Sequence, residues 1–223
     1  IKKILFKLSV IIIKFYQYLC EDMGKKLLIE LPYLGNLAFY QLLTNFDEIL
    51  IEHHEFFEKA SFRNRCEIVG PNGKLVLSIP VTGGKHKKQH YKETKICYDH
   101  TWLKDHWNSF TSCYRRSPYF EFYEDKFEII FDKELEDLYD LNLELFKLTL
   151  SLLKLDVPVS LTESYQKEHD GYEDYRSFFL PRKKQSASVK YMQVFEDRTG
   201  FINNLSIVDL LFNEGPNAIN VLK

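Results

Sequence analysis

The chain has 223 residues, of which 45% are hydrophobic and 15% aromatic, enough to bury a full core in a single domain. Its 30 Lys and Arg residues nearly balance 32 Asp and Glu residues, which argues against a protein whose whole surface holds nucleic acid or an anionic membrane. Any anion-binding site must therefore be local.

The four cysteines, Cys20, Cys66, Cys97 and Cys113, lie far apart and include no C-x-x-C pair. This spacing argues against a zinc knuckle and against a dense disulfide framework. We interpret them as reduced thiols and expect a cytoplasmic protein.

The first segment, residues 1–22, is apolar but is interrupted by Lys7 and Lys14. It therefore falls short of the roughly 20 uninterrupted apolar residues that span a membrane. It is either a basic helix lying on a membrane surface or an extension outside the fold. We favour the extension, with one domain over residues 23–223, so that membrane contact is possible only through residues 1–22.

The domain is expected to open with a strand, a helix and a second strand. KLLIEL reads as a buried strand, Asn36 as the N-cap of a helix over 37–43, and EILIE as the next strand. A strand, helix and strand within this length predict a parallel βαβ unit. RCEIV and KLVLSIPV then flank GPNG, which predicts an antiparallel hairpin, and KETKICYD is predicted to be another strand.

The middle of the chain changes to a helical pattern. Helices are predicted over 102–115, 119–131 and 135–155, followed by a strand in DVPVSLTESY and a long polar loop over 166–190. YMQVF is predicted to be the last strand, and Asn204 or Ser206 should cap a final helix. These elements predict an α/β fold: a mixed, largely parallel sheet with a β-hairpin and flanking helices in a Rossmann-like three-layer arrangement.

A group of polar side chains precedes the hairpin. Lys59, Arg63, Asn64 and Arg65 lie within seven residues, and guanidinium groups suit a phosphate or carboxylate. The alternative is a solvated face with no ligand.

Further along, Trp102 and His106 are spaced to share one helix face, and Tyr114 and Arg115 follow on the same segment. A buried structural histidine is the alternative for His106. In the final helix, Asp209 and Asn213 are four residues apart and share a face, and the alternative is a pair of exposed or capping residues.

We predict no metal site. His53, His54 and Glu55 are adjacent, but neighbours on a strand point to opposite faces, so at most His53 and Glu55 could lie on the same face. No spacing typical of metal ligands occurs, and no cofactor is identified.

Several segments together resemble the WbqC-like protein family. They are, in the order in which the family has them, EHHEFFEKASFRNRCEI, LSIPV, TWLKDHW with YRRSPYF, LYDLNLELF with LTESY, and FINNLSIVDLLFNEGP. The family is associated with surface-polysaccharide (O-antigen) gene clusters, and a role as an acyl or aminoacyl transferase, for glycine among other groups, has been suggested for it. Lys59, Asn64 and Arg65 match the family motif residue by residue, and Arg63 less closely.

The resemblance implies a transferase whose cleft lies at the carboxyl ends of the strands and whose substrate is a small molecule or a sugar-linked group. In this hypothesis His106 is the general base and Asp209 orients a partner. The substrate-binding candidates are Lys59, Arg63, Asn64, Arg65, Trp102, Tyr114, Arg115 and Asn213. The alternatives are a non-catalytic module that binds a sugar nucleotide or glycan, and a scaffold for envelope-biosynthesis enzymes.

Overall fold

The structure is a computed structural model that describes residues 24–83, 88–183, 185–187 and 189–223. The prediction that residues 1–22 form an extension lies outside the described residues. The elements, in chain order, are β1 (Lys26–Glu30), α1 (Leu37–Leu43), β2 (Glu48–Glu52), β3 (Arg65–Gly70), β4 (Gly73–Ser78), a 3₁₀ helix (Tyr91–Glu93), α2 (Trp102–Tyr114), α3 (Phe120–Phe131), α4 (Leu138–Leu153), β5 (Val159–Leu161), β6 (Tyr172–Asp174), α5 (Glu196–Thr199), α6 (Ile207–Glu214), a 3₁₀ helix (Gly215–Asn217) and α7 (Ala218–Leu222).

A four-stranded parallel sheet forms the centre of the fold, in the order β5-β2-β1-β6. Leu28 of β1 lies opposite Leu50 of β2, and the inner residues of both strands are buried. Continuous apolar runs are typical of parallel strands because helices cover both faces of such a sheet. The predicted parallel pairing of the first two strands is confirmed.

The helix between β1 and β2 is short and begins at its predicted cap. Asn36 has an extended backbone, and its side-chain oxygen accepts a hydrogen bond of 3.0 Å from the backbone N–H of Phe39. This bond satisfies one of the free N–H groups at the start of α1.

The hairpin of β3 and β4 is antiparallel, with Arg65 opposite Ser78 and Gly70 opposite Gly73. Gly73 has a φ of 104°, a conformation that favours glycine. The hairpin forms a sheet of its own beside the parallel sheet. With the parallel sheet, the hairpin and the flanking helices, the predicted α/β class is confirmed.

The three middle helices lie where they are predicted, with shorter ends. α4 stops at Lys154, which adopts a left-handed conformation with a φ of 54°. Aromatic rings of α2 and α3 meet α6 around Phe212, whose ring centroid lies 5.1 Å from Phe120 and 5.6 Å from Phe127. These contacts join the helical segment to the end of the chain in one core.

The region predicted as a polar loop, 166–190, contains the edge strand β6. Tyr172 lies opposite Lys26 of β1, and its hydroxyl donates a hydrogen bond of 2.5 Å to Glu48. Three residues in a polar setting show no local strand pattern, so only the long-range pairing reveals the strand.

Two predicted strands are wrong. Only the first two residues of KETKICYD belong to a regular element, the 3₁₀ helix Tyr91–Glu93, which the N–H of Thr94 closes by bonding back to Tyr91, and only isolated bridges at Lys95 and Ile96 follow. YMQVF is not a strand either, since the side-chain amide of Gln193 makes the two hydrogen bonds to Ile202 that a neighbouring strand would make. In the described part of the chain, no helix combines the length and the apolar character needed to cross a bilayer.

Candidate functional site

A cavity of about 420 Å³ lies at the carboxyl edge of the parallel sheet, where β1 ends at Glu30 and β2 ends at Glu52. We call it the carboxyl-edge cavity. In open α/β sheets, ligands bind at this edge. The cavity is lined by His54, Glu55, Phe56, Glu58, Arg63, His90, Tyr165 and Ser177.

Arg63 forms one wall of the cavity and is almost fully buried. Its guanidinium lies 2.8 Å from the carboxylate of Glu30 and 2.5 Å from that of Glu55, and it donates a third hydrogen bond to the carbonyl of Phe56. Burial disfavours the charged form of Arg63, but the two carboxylates outweigh this effect and raise its pKa. The guanidinium of Arg63 is therefore fixed by partners within the protein and needs no ligand to hold it in place.

A second buried ion pair lies at the same edge. Glu52 is fully buried, and its carboxylate lies 3.5 Å from the guanidinium of Arg176. The other oxygen of Glu52 accepts hydrogen bonds from the backbone N–H of His54 and from the hydroxyl of Thr162. We refer to Glu30, Glu52, Glu55, Arg63 and Arg176 as the carboxyl-edge network.

Three carboxylates face two guanidinium groups in this network. Burial raises the pKa of Glu55, and the nearby charge of Arg63 opposes the shift. Glu55 is the member of the network whose carboxylate lines the cavity while keeping 17% of its side chain exposed. A ligand group that donates hydrogen bonds, such as an amine or a hydroxyl, suits this carboxylate.

His90 supplies an imidazole to the cavity. Its Nδ1 lies 2.7 Å from the carbonyl oxygen of His54, and its ring stacks on Phe56 with the centroids 4.6 Å apart. A carbonyl oxygen only accepts, so Nδ1 carries the proton and Nε2 is the basic nitrogen of the neutral ring. Within the described residues Nε2 makes no hydrogen bond, so it is free to act on a ligand.

His54 also lines the cavity, but its nitrogens are occupied. Nε2 lies 2.8 Å from Nε2 of His53 and 3.0 Å from the carbonyl of Thr162, and Lys92 donates to Nδ1. The expectation that His53 and His54 point to opposite faces is wrong, because β2 ends at Glu52 and the alternation of a strand no longer applies. In the described part of the chain, no group of three or more His, Cys, Asp or Glu side chains could hold a metal ion.

The four residues of the predicted anion site are dispersed. Arg63 lines the carboxyl-edge cavity, whereas Lys59 is exposed on the surface. The amide of Asn64 donates to the carbonyl of Ile79, and Arg65 begins β3 opposite Ser78. Neither Asn64 nor Arg65 lines the carboxyl-edge cavity.

His106 is buried on α2. Its Nδ1 lies 2.9 Å from the hydroxyl of Tyr33, and the ring of Trp102 packs edge-on against it with the centroids 5.2 Å apart. Burial lowers the pKa of His106 to about 4, although a hydrogen bond to the backbone of Ser78 opposes the shift. These contacts are typical of a structural histidine. His106 does not line the carboxyl-edge cavity.

Asp209, Tyr114 and Asn213 do come together. The hydroxyl of Tyr114 donates to Oδ1 of Asp209 over 2.7 Å, and the hydroxyl of Tyr191 and the amide of Gln193 donate to Oδ2. Burial raises the pKa of Asp209 to about 6, against the opposing effect of these hydrogen bonds. We refer to Tyr114, Tyr191, Gln193 and Asp209 as the Asp209 cluster.

The remaining predicted residues lie around this cluster or on α2. Asn213 donates to the backbone carbonyl of Asp209 over 2.7 Å. Trp102 is buried on α2, and Arg115 is exposed at the C-terminal end of the same helix.

Sequence reasoning missed His90 and Arg176. Each meets its partner across a long stretch of chain, His90 with His54 and Arg176 with Glu52. Glu30 and Glu52 could have been found, because they are the last residues of two predicted parallel strands, where ligands bind.

The fold and this cavity define an α/β protein with a cavity at the carboxyl edge of a parallel sheet. The WbqC-like protein family matches residues 31–179, more than half of the chain, and the chain belongs to that family. The match contains every residue that lines the carboxyl-edge cavity, whereas Asp209 and Asn213 lie beyond it. No curated protein and no solved structure matches the chain.

Proposed function

We propose that this WbqC-like protein is a group-transfer enzyme of surface-polysaccharide biosynthesis, acting in the cytoplasm on a small-molecule or sugar-linked acceptor. The transferred group is acyl or aminoacyl. The observation that carries the proposal is the imidazole of His90, fixed through Nδ1 by the carbonyl of His54 and placed in a cavity at the carboxyl edge of the sheet. The family's association with O-antigen gene clusters supports the polysaccharide context.

The chemistry follows from the tautomer of His90. As the acceptor amine or hydroxyl attacks the carbonyl carbon of the donor, Nε2 takes the acceptor's proton. A C–N or C–O bond forms, the bond from the carbonyl carbon to the leaving group breaks, and the proton passes from Nε2 to that group. The carboxylate of Glu55 accepts a hydrogen bond from the acceptor and orients it.

The anionic part of the donor is assigned to Lys59, Asn64 and Arg65 by the resemblance to the family. These residues follow the cavity-lining segment 54–58 along the chain. In this proposal these three residues bind the donor outside the cavity, and Arg63 shapes the cavity wall.

The test compares His90→Gln with a control, His100→Gln, which replaces an exposed histidine outside the cavity. Purified proteins are incubated with acetyl-CoA or glycyl-tRNA as donor and a nucleotide-linked amino sugar as acceptor, and the product is measured by mass spectrometry. His90→Gln should lower turnover by roughly 10²- to 10⁴-fold, the usual loss of a general base. His100→Gln should match the wild type, and equal activity of His90→Gln would contradict the assignment.

A binding module is the second candidate, and one observation favours it. Phe56 and Tyr165 line the cavity with 54% of each side chain exposed, and such rings offer a surface on which a sugar can pack. If the wild type binds the nucleotide-linked sugar in a thermal-shift assay and transfers no group from either donor, the binding module is the better description.

A further inference from the structure

A second cavity, of about 520 Å³, lies where the end of α2, the segment before α5 and the helix α6 meet. It shares no lining residue with the carboxyl-edge cavity. Its polar and charged lining is formed by Ser112, Arg116, Ser117, Gln193, Asp197, Arg198 and Asn213.

Two guanidinium groups from separate elements reach this cavity. Arg116 follows the C-terminal end of α2, and Arg198 belongs to α5. Within the described residues, neither side chain makes a hydrogen bond or an ion pair, whereas Arg63, Arg176 and Arg182 are all paired with carboxylates. The planar donors of two such groups suit the oxygens of a phosphate.

Three other lining residues, Ser112, Asp197 and Asn213, offer hydrogen-bond acceptors. The amide nitrogen of Asn213 donates to the backbone carbonyl of Asp209, which fixes the side chain and leaves its oxygen as an acceptor. The carboxylate of Asp197 and the hydroxyl of Ser112 have no hydrogen-bond partner in the described part of the chain. Carboxylate and amide oxygens accept hydrogen bonds from the hydroxyl groups of a ligand.

One wall of the cavity is fixed by the Asp209 cluster. The amide of Gln193 donates to Asp209, to the hydroxyl of Tyr191 and to the carbonyl of Ile202, and its oxygen accepts from the N–H of Ile202. A side chain with all its hydrogen bonds made in the free protein costs little to order on binding. The cavity therefore has a preorganised wall beside its two free cations.

We propose that this second cavity binds a hydroxylated phosphate ester, a sugar phosphate, with the phosphate between Arg116 and Arg198 and the hydroxyl groups on Asp197, Asn213 and Ser112. Because the cavity has two guanidinium groups and one carboxylate, it favours the phosphate end of the ligand. The hydrogen-bond acceptors of the lining favour a ligand that carries hydroxyl groups. The inference concerns a site separate from the proposed transfer and does not rest on it.

The test measures binding of glucose 1-phosphate by isothermal titration calorimetry to the wild type, Arg116→Ala and Arg198→Ala. Each loss of a charge-assisted contact should weaken binding by roughly tenfold or more. Lys104→Ala is the control, because it removes an exposed cation of α2 that does not line the cavity. This control should change the affinity by less than about twofold, in keeping with the small effect of exposed charges.

One further ligand and one further variant separate the two halves of the site. Inorganic phosphate should bind more weakly than glucose 1-phosphate, and Ser112→Ala should weaken only the binding of the sugar phosphate. Equal affinity for inorganic phosphate would overturn the assignment of the hydroxyl contacts. Absence of binding at millimolar glucose 1-phosphate, or an equal loss in Lys104→Ala, would overturn the site itself, whatever the result of the transfer assay.

Discussion

The carboxyl-edge network and the Asp209 cluster both bury carboxylates, but they stabilise them by different means. The network pairs Glu30 and Glu55 with the guanidinium of Arg63. In the cluster, the neutral donors Tyr114, Tyr191 and Gln193 surround Asp209. Burial raises the pKa of Glu55 and the charge of Arg63 opposes this effect, whereas Asp209 has only neutral donors around it, and burial raises its pKa to about 6.

Arg63→Met should have the largest effect, because it leaves Glu30 and Glu55 buried without their cation. Removing one partner of a buried ion pair costs about 3–5 kcal/mol. Arg182→Met is the control, since that side chain is 70% exposed and pairs only with Glu58, and an exposed pair is worth about 0–1 kcal/mol. Urea denaturation should show this difference, and equal losses in the two variants would break the comparison.

Asp209 should show the next largest effect, as a dependence on pH. Its pKa is raised from 3.8 to about 6, so below pH 4 the carboxyl is protonated in the folded and the unfolded chain alike. Between pH 4 and 6 the unfolded chain loses its proton first, so stability falls through this window and levels off above it. The change is on the order of 3 kcal/mol.

Asp209→Asn isolates this contribution because it cannot titrate. The stability advantage of the wild type over the variant should be largest at pH 4 and should shrink by pH 7. Denaturation at several pH values measures the difference. An advantage that stays constant from pH 4 to 7 would contradict the raised pKa of Asp209.

His106→Gln should have the smallest effect, because His106 belongs to neither the carboxyl-edge network nor the Asp209 cluster and its partner Tyr33 is neutral. The buried hydroxyl of Tyr33 loses its acceptor, at a cost of about 1–3 kcal/mol. Since the pKa of His106 falls to about 4, an unfolded chain takes up its proton first as the pH drops below 6.5, and the wild type loses stability that the variant keeps.

The transfer assay gives the second readout for His106. Activity per folded molecule should be unchanged in His106→Gln, because its ring bonds to Tyr33 and lies outside the carboxyl-edge cavity. A complete loss of turnover in a folded variant would restore the hypothesis that His106 is the general base.

Local patterns predicted those parts of the fold that local physics decides. The apolar run of β1, the cap at Asn36 and the turn at Gly73 are each specified by neighbouring residues, and the structure follows them. β6 was missed because its three residues become a strand only by pairing with β1. YMQVF has the composition of a strand, but Gln193 satisfies the backbone of Ile202 with its side chain instead.

The candidate site divides in the same way. Asp209 and Asn213 share a helix, so their spacing predicted that they would lie together, and Arg63 was found through a cluster of charges. His90 has no such signal, because its tautomer depends on a carbonyl of His54 that lies 36 residues away in the chain. Contacts of this kind depend on how the loop after β2 packs against the loop before the 3₁₀ helix Tyr91–Glu93.

The position of β6 has a consequence for the synthesis of the chain. β2, which pairs with one edge of β1, follows it closely in the sequence, but the other edge of β1 can receive β6 only after Tyr172 has been synthesised, much later in the sequence. Until then the nascent chain carries an open edge on an apolar strand, which is a template for association with other chains. Completion of the sheet is therefore a late event of translation, and the strand that protects the edge is one of the shortest in the molecule.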